Sequence, residues 1–198
     1  MGSGVLKITL GRAMSTRRNS GVLGRINAIA VFGVVVSLPA TTLEQLTFAS
    51  MAQQSTAIVR ARVAGSSNVV RGANAYTQYG LEVVSAWKSS GAGVPAEVAV
   101  PGGFVKGLRQ VVSGAPVLQS GREYVLFLWT SPRGVTQIMG LSQGLFVVDT
   151  ETGVEMATRA AATERMLNAA GEPVRGDQIR LKLPELKAQV MQALGGRQ

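Results

Sequence analysis

Residues 123–129 read Glu123-Tyr124-Val125-Leu126-Phe127-Leu128-Trp129, and this run is apolar on both faces that an extended chain presents. Side chains of successive strand residues point to opposite faces, so a strand of this kind must be covered on both sides. The run therefore predicts the central strand of the core.

Shorter strand patterns surround this run. Residues 57–63 alternate, and Arg60 and Arg62 share their polar face. The glycine- and serine-containing step at 65–68 predicts a turn or bulge after that strand. Residues 76–87 also alternate, which places four large side chains on one face, namely Tyr79, Leu81, Val83 and Trp87. Breaks rich in glycine, proline and serine separate these patterns from further strand patterns at 97–100, 135–139 and 144–148.

Helical patterns flank the strands. The first covers residues 42–54, where Thr42 and Gln45 fit a capping box. The second begins near Pro184, stops at Gly195 and carries an apolar stripe of Leu183, Leu186, Val190, Met191 and Leu194. The patterns together predict a mainly β fold: an antiparallel OB-like barrel or small sandwich with a short N-terminal helix and a C-terminal amphipathic helix.

The first 42 residues have the order of features typical of an export signal. Basic residues, Arg12 to Arg25, precede an apolar run at 26–38 and a small-residue break at 39–42. The apolar run is shorter than the roughly 20 residues that span a membrane. We expect cleavage and a periplasmic or secreted protein; the alternative is a protein anchored by residues 26–38, with membrane contact only through that uncleaved signal.

Three regions follow from these patterns: an export signal with a basic n-region at 1–42, a β-barrel domain at 43–151, and a polar linker with the C-terminal helix at 152–198. Residues 152–182 are predicted to be mobile or partly helical. The chain carries a net charge of +9, but five of its 20 basic residues lie in the signal. The other 15 basic and 11 acidic residues leave +4. That scattered charge favours solubility and predicts no nucleic-acid partner.

The chain contains no histidine and no cysteine. This composition excludes Ser-His-Asp and Cys-His catalysis and most types of metal site. We therefore predict no catalytic residues, no cofactor, no metal and no enzymatic activity. Gly140-Leu141-Ser142-Gln143-Gly144 matches the pattern of a hydrolase nucleophile elbow, but an elbow needs a following helix and a histidine elsewhere. We interpret these residues as a tight turn between strands, and the acidic residues Asp149, Glu151 and Glu155 as a solvated cluster rather than a calcium site.

Several short motifs follow one another between Thr42 and Val148, and their order is distinctive. They are Leu43-Glu44-Gln45-Leu46, the strand at 57–63, Leu81-Glu82-Val83-Val84 with Trp87-Lys88, Pro101-Gly102-Gly103, Gly114-Ala115-Pro116, the run at 121–128, and the segment at 140–146. In this order the chain resembles a domain of exported bacterial proteins of unknown function, which often precedes a matrixin-like zinc metalloprotease domain. The layout is more loosely similar to netrin-module and metalloprotease-inhibitor OB barrels.

The resemblance implies an accessory domain that acts without the protease. Inhibitors of the netrin-module kind use an N-terminal cysteine on the zinc, and this chain has no cysteine, so that mechanism does not transfer. The first hypothesis is an exported, non-catalytic binding or accessory module of unknown ligand. The alternatives are a modulator of an envelope or secreted zinc peptidase, and a hydrolase using Ser142. A partner would be another exported protein, such as a metalloprotease. The predicted binding residues are Arg109, in the long connection at 104–121, and Arg122.

Overall fold

The structure, a computed structural model, describes residues 42–91, 93–105, 107–162 and 164–195. The predicted export signal therefore lies outside the described residues, apart from Thr42. No helix in the described ranges is both long enough and apolar enough to cross a membrane.

Thirteen strands and two helices make up this part of the chain. The strands are β1 (Leu43–Glu44), β2 (Ala57–Arg71), β3 (Asn74–Ser89), β4 (Glu97–Pro101), β5 (Gly103–Val105), β6 (Leu108–Gln110), β7 (Glu123–Thr130), β8 (Thr136–Ile138), β9 (Leu145–Glu151), β10 (Val154–Arg159), β11 (Met166–Leu167), β12 (Pro173–Val174) and β13 (Ile179–Lys182). The helices are α1 (Phe48–Gln54) and α2 (Leu183–Gly195).

Strand β7 is the centre of the main sheet, as its two apolar faces predicted. The sheet runs in the order β13-β10-β9-β7-β2-β3-β4, and every neighbouring pair is antiparallel. One edge of β7 pairs with β2, while the other pairs first with β9 and then with β8. Residues from Tyr124 to Leu128 are at most 2% exposed, which is the double coverage that the run required.

Two hydrophobic cores lie on opposite faces of this sheet. The first contains residues of β2, β3, β4 and β8 together with Leu118, and β7 contributes Tyr124, Leu126 and Leu128 to it. The second lies beneath the two helices, and β7 contributes Val125 and Phe127 to it. The alternation along a single strand thus supplies both cores.

The mainly β, antiparallel prediction is confirmed, but the sheet is open. Its two ends, β4 and β13, do not pair with each other, and β4 lies close to β8 without a hydrogen-bonded ladder between them. A closed barrel is therefore not supported. Both β5 and β6 stand outside the main sheet as a separate hairpin, which lies against β2 and β3.

The β2–β3 hairpin is longer than predicted and carries β-bulges. No turn forms at residues 65–68, because β2 continues to Arg71. The predicted break is instead a shift in the register between β2 and β3, between Val63 and Gly65. Two further shifts leave Val84 and Trp87 of β3 without a partner in the register, and they interrupt the alternation of that strand. Trp87 consequently packs in the core beneath the helices, whereas Tyr79 packs in the opposite core. The prediction that both share one face is wrong.

The N-terminal helix begins later than predicted. Its N-cap is Thr47, whose hydroxyl accepts a hydrogen bond from the Ser50 amide at 3.1 Å. Leu43 and Glu44 instead form β1, which pairs in parallel with β11. The capping box at Thr42 does not form, because the Gln45 amide that Thr42 would cap donates to the Leu167 carbonyl at 2.8 Å.

The described residues of the stretch 152–182 form four strands and no helix, so the partly helical structure predicted for it is wrong. The chain turns at Thr152 and Gly153 and returns as β10 beside β9, and β13 extends the sheet further. The boundary predicted at residue 151 therefore lies at a hairpin within one sheet. The C-terminal helix forms as predicted and buries Leu183, Leu186 and Val190, although Met191 is 42% exposed.

Candidate functional site

A double-glycine step ends β4 and positions the next hairpin. Gly102 and Gly103 have φ angles of +100° and +148°. A Cβ atom on Gly103 would lie 2.6 Å from Asn68 Oδ1 and 3.2 Å from Thr77 Oγ1. Glycine is needed here because the left-handed backbone and these two side chains leave no room for a Cβ atom.

The same two polar side chains hold the hairpin against the β2–β3 ribbon. The Thr77 hydroxyl donates to the Gly102 carbonyl at 3.1 Å, and the Phe104 amide donates to Asn68 Oδ1 at 3.3 Å. In the hairpin, Phe104 lies directly opposite Arg109. Cross-strand partners share a face, so the phenyl ring and the guanidinium project from the same side.

The segment after the hairpin is fixed at both ends. At its start, Gln110 Oε1 accepts a hydrogen bond from the Ala75 amide at 2.7 Å. At its end, Leu118 is buried in the first core, and the Gln119 amide donates to the Tyr124 hydroxyl at 2.9 Å. These attachments hold the intervening residues in place without a helix or a strand.

A groove of about 290 Å³ lies between the hairpin and this segment. We refer to it as the hairpin groove. Three apolar side chains on its wall are unusually exposed: Phe104 at 58%, Val111 at 73% and Val117 at 80%. Exposed apolar side chains gathered around one concavity are typical of binding surfaces.

Arg109 also lines the hairpin groove. Its guanidinium makes no hydrogen bond or ion pair with another described residue, whereas Arg60, Arg62 and Arg180 are each paired with a carboxylate. The groove thus carries a cation whose charge is not compensated within the described ranges.

The second predicted binding residue, Arg122, has a different environment. Its Nη2 atom contacts both carboxylate oxygens of Asp149, at 2.9 and 3.0 Å, and its Nη1 atom donates to Gln119 Oε1 at 3.2 Å. Arg122 does not line the groove, and its charge is already compensated by the carboxylate of Asp149 in β9. The structure therefore does not bring the two predicted residues together.

Sequence reasoning missed the apolar part of the groove. Phe104, Val111 and Val117 lie in a connection with no periodic pattern, so nothing local indicated whether they were buried or exposed. Their occurrence in a glycine- and proline-containing loop was the available signal, because loops run over the surface.

The Gly-x-Ser-x-Gly segment is a turn between two strands, as predicted. It connects β8 to β9, and Gly140 and Leu141 have φ angles of +57° and +58°. Gln143 is 5% exposed and fixes the N-terminal segment: its Nε2 atom donates to the Glu44 carbonyl and its Oε1 atom accepts from the Leu46 amide, both at 2.9 Å. The segment thus joins β1 to the main sheet.

The predicted acidic cluster pairs with arginines instead of gathering around one point. Asp149 pairs with Arg122, Glu155 pairs with Arg60, and Glu151 pairs with Arg180. Across the described residues, no three acidic, histidine or cysteine side chains lie close enough together to hold a metal ion.

A larger cleft of about 480 Å³ lies beside β4. Its polar side chains bond to one another: Arg71 donates to Gln78, which in turn donates to Glu97. Because these groups already have partners, this cleft offers a ligand less than the hairpin groove does.

An ion-pair network connects side chains of β2, β7 and β10. Glu123 accepts from Arg60 Nη2 and from Arg62 Nη2, each at 2.7 Å, and Arg60 also contacts Glu155 at 2.5 Å. The Arg60 hydrogen bond, with a smaller contribution from Arg62, holds the pKa of the Glu123 carboxyl below its ordinary value of 4.5, although burial opposes the shift. The side chains of Arg60 and Glu123 are only 19% and 16% exposed.

Replacing Glu123 with glutamine is expected to lower the free energy of unfolding by about 1–3 kcal/mol at pH 7, because charge-assisted hydrogen bonds to a half-buried arginine are lost. The folded-state pKa is depressed. The contribution is therefore complete above the unfolded pKa and disappears as the pH falls through the folded value. Urea unfolding of wild type and E123Q from pH 7 to pH 3 tests this.

The matched control for this prediction is Glu151→Gln, since Glu151 pairs with Arg180 and both side chains are about half exposed. We expect that change to cost less than about 0.5 kcal/mol. A gap between wild type and E123Q that stayed constant down to pH 3 would contradict the assigned pKa shift.

Comparisons of this chain with protein-family models, with curated proteins and with solved structures give no match.

Proposed function

We propose that this chain is an exported, non-catalytic binding module that recognises a partner protein at the hairpin groove. The observation that carries the proposal is the exposure of Phe104, Val111 and Val117 around one groove on a segment fixed at both ends. Exposing these side chains costs free energy in the isolated protein, and a partner that covers them recovers it.

The fixed backbone favours binding. The hairpin is held by Asn68 and Thr77, and the following segment by Gln110 and Leu118. A surface that is already ordered loses less conformational entropy when a partner docks. The export part of the proposal depends on the charge and hydropathy order of residues 1–42, and the non-catalytic part on the lack of histidine and cysteine.

The test is site-specific photo-crosslinking in the native host. A photoreactive residue is placed at Val117, and in a control protein at Val154, which is exposed but lies in β10. We expect one partner protein to be crosslinked from position 117 and not from position 154, and to be lost when Phe104→Ser is added. A zinc peptidase is the partner that the resemblance suggests. Equal crosslinking from both positions, or none from 117, would contradict the proposal.

A further inference from the structure

We infer that the hairpin groove binds an extended polypeptide segment, which pairs with the free edge of β6 and places an acidic side chain against Arg109. This inference rests on the proposed function and names the class of its partner. Three features carry it: an unpaired strand edge, an uncompensated guanidinium, and apolar side chains beside that guanidinium in the same groove.

The strand edge follows from the pairing within the hairpin. Phe104 and Arg109 are directly opposite each other, and the Phe104 amide donates to Asn68 rather than across the hairpin. In an antiparallel pair, opposite residues either exchange both hydrogen bonds or exchange none. The main-chain N–H and C=O of Arg109 therefore point away from β5. Outside the strand ladders, no main-chain group of a described residue accepts from that N–H or donates to that C=O.

An exposed strand edge of this kind is a template for β-augmentation, in which an added strand forms main-chain hydrogen bonds and its alternate side chains fill adjacent pockets. The short length of β6 limits the added strand to a few residues. Side-chain contacts must therefore contribute a large part of the affinity, and the groove supplies them.

The charge of the groove selects the side chain opposite Arg109. The guanidinium has no carboxylate partner among the described residues, and a bidentate carboxylate is its best geometric match. An aspartate or glutamate in the added strand would meet this requirement. A lysine or arginine at that position would face a like charge.

The apolar side chains select its neighbours. Alternate residues of an extended segment lie on the same face, so the residue two positions from the acidic one faces the same groove. Phe104 and Val111 both line that groove with Arg109. The expected ligand therefore carries an acidic residue and an aliphatic or aromatic residue two positions apart.

The experiment selects phage-displayed linear heptapeptides on the purified protein, with Arg109→Glu as the counter-screen. We expect enriched peptides to carry an Asp or Glu two positions from an apolar residue. Binding of the best synthetic peptide, measured by fluorescence anisotropy, should weaken by about tenfold or more with R109E. The matched control is Arg133→Glu, since Arg133 is also exposed and also unpaired among the described residues, and it should change binding by less than about twofold.

Backbone pairing is tested separately by N-methylating the best peptide one residue at a time. We expect methylation of the one peptide N–H that donates to the Arg109 carbonyl to abolish binding and methylation of the neighbouring residues to be tolerated, because Arg109 is the residue of β6 whose main-chain groups point away from β5. Enriched peptides without an acidic residue, or tolerance of every methylation, would overturn the inference. If such peptides still depended on Phe104 and Val117, the groove would remain a binding site and only the partner class would be wrong. If no selected peptide depended on any groove residue, the proposed function would fail with the inference.

Discussion

Replacing Phe127 with alanine is expected to lower the free energy of unfolding by about 3–5 kcal/mol. Phe127 is fully buried in the central strand. Its ring packs edge-on against Phe48 of α1, with centroids 5.6 Å apart, and lies 5.8 Å from the ring of Phe146 in β9. The substitution therefore removes the side chain that connects the helix to two strands and leaves a cavity that the rigid sheet cannot close.

Guanidinium unfolding followed by circular dichroism measures this effect. The control is Trp129→Ala in the same strand, where the side chain is 40% exposed and the expected loss is about 1–2 kcal/mol. Similar losses for the two variants would show that Phe127 is not the main packing contact between α1 and the sheet.

Replacing Gly144 with alanine is expected to cost about 3 kcal/mol, because the added methyl group has no space. A Cβ atom there would lie 2.9 Å from the Met139 carbonyl oxygen, 3.0 Å from the Phe127 carbonyl oxygen and 3.1 Å from Phe127 Cβ. Two of these contacts are with backbone atoms, at the point where β7 stops pairing with β9 and begins to pair with β8. Neither atom can rotate away as a side chain could. The Phe127 amide also donates to the Gly144 carbonyl at 2.9 Å.

The control for this prediction is Gly65→Ala, since no atom lies within 4 Å of a Cβ atom there and its φ angle is not in the left-handed region. We expect that variant to be as stable as wild type or more stable by up to about 1 kcal/mol, because alanine restricts the unfolded chain. Thermal unfolding of both variants provides the comparison. An unaffected G144A variant would mean that the turn at 140–144 can shift to admit a methyl group.

The groove and the ion pairs differed in how far they could be predicted. Arg109 was identified from its position in a long loop, and the structure places it in the groove. Arg122 was identified on the same grounds, but its partner Asp149 lies 27 residues away in another strand. Long-range pairing of this kind leaves no periodic trace, so sequence alone could not separate a compensated arginine from an uncompensated one.

Hydrophobic periodicity was sufficient to predict those strands and helices whose own apolar residues show which faces are buried. It predicted the central strand at 123–129, the strand at 57–63 and the helix at the C-terminus, because those patterns reflect local geometry. The turn at 140–144 followed instead from its glycines and from the strand pattern after it.

Tertiary structure decided the rest. Within residues 152–182, β10 forms because β9 offers it an edge with which to pair, and β13 pairs in turn with β10 at the border of the sheet. Strands β11 and β12 pair with each other, and β11 also pairs with β1. Bulges in β3 decided the face of Trp87, and pairing with β11 decided that Leu43 and Glu44 form a strand. The hairpin groove likewise exists only because Asn68 and Thr77 of a distant ribbon fix the chain at Gly102–Gly103, a contact that no local pattern encodes.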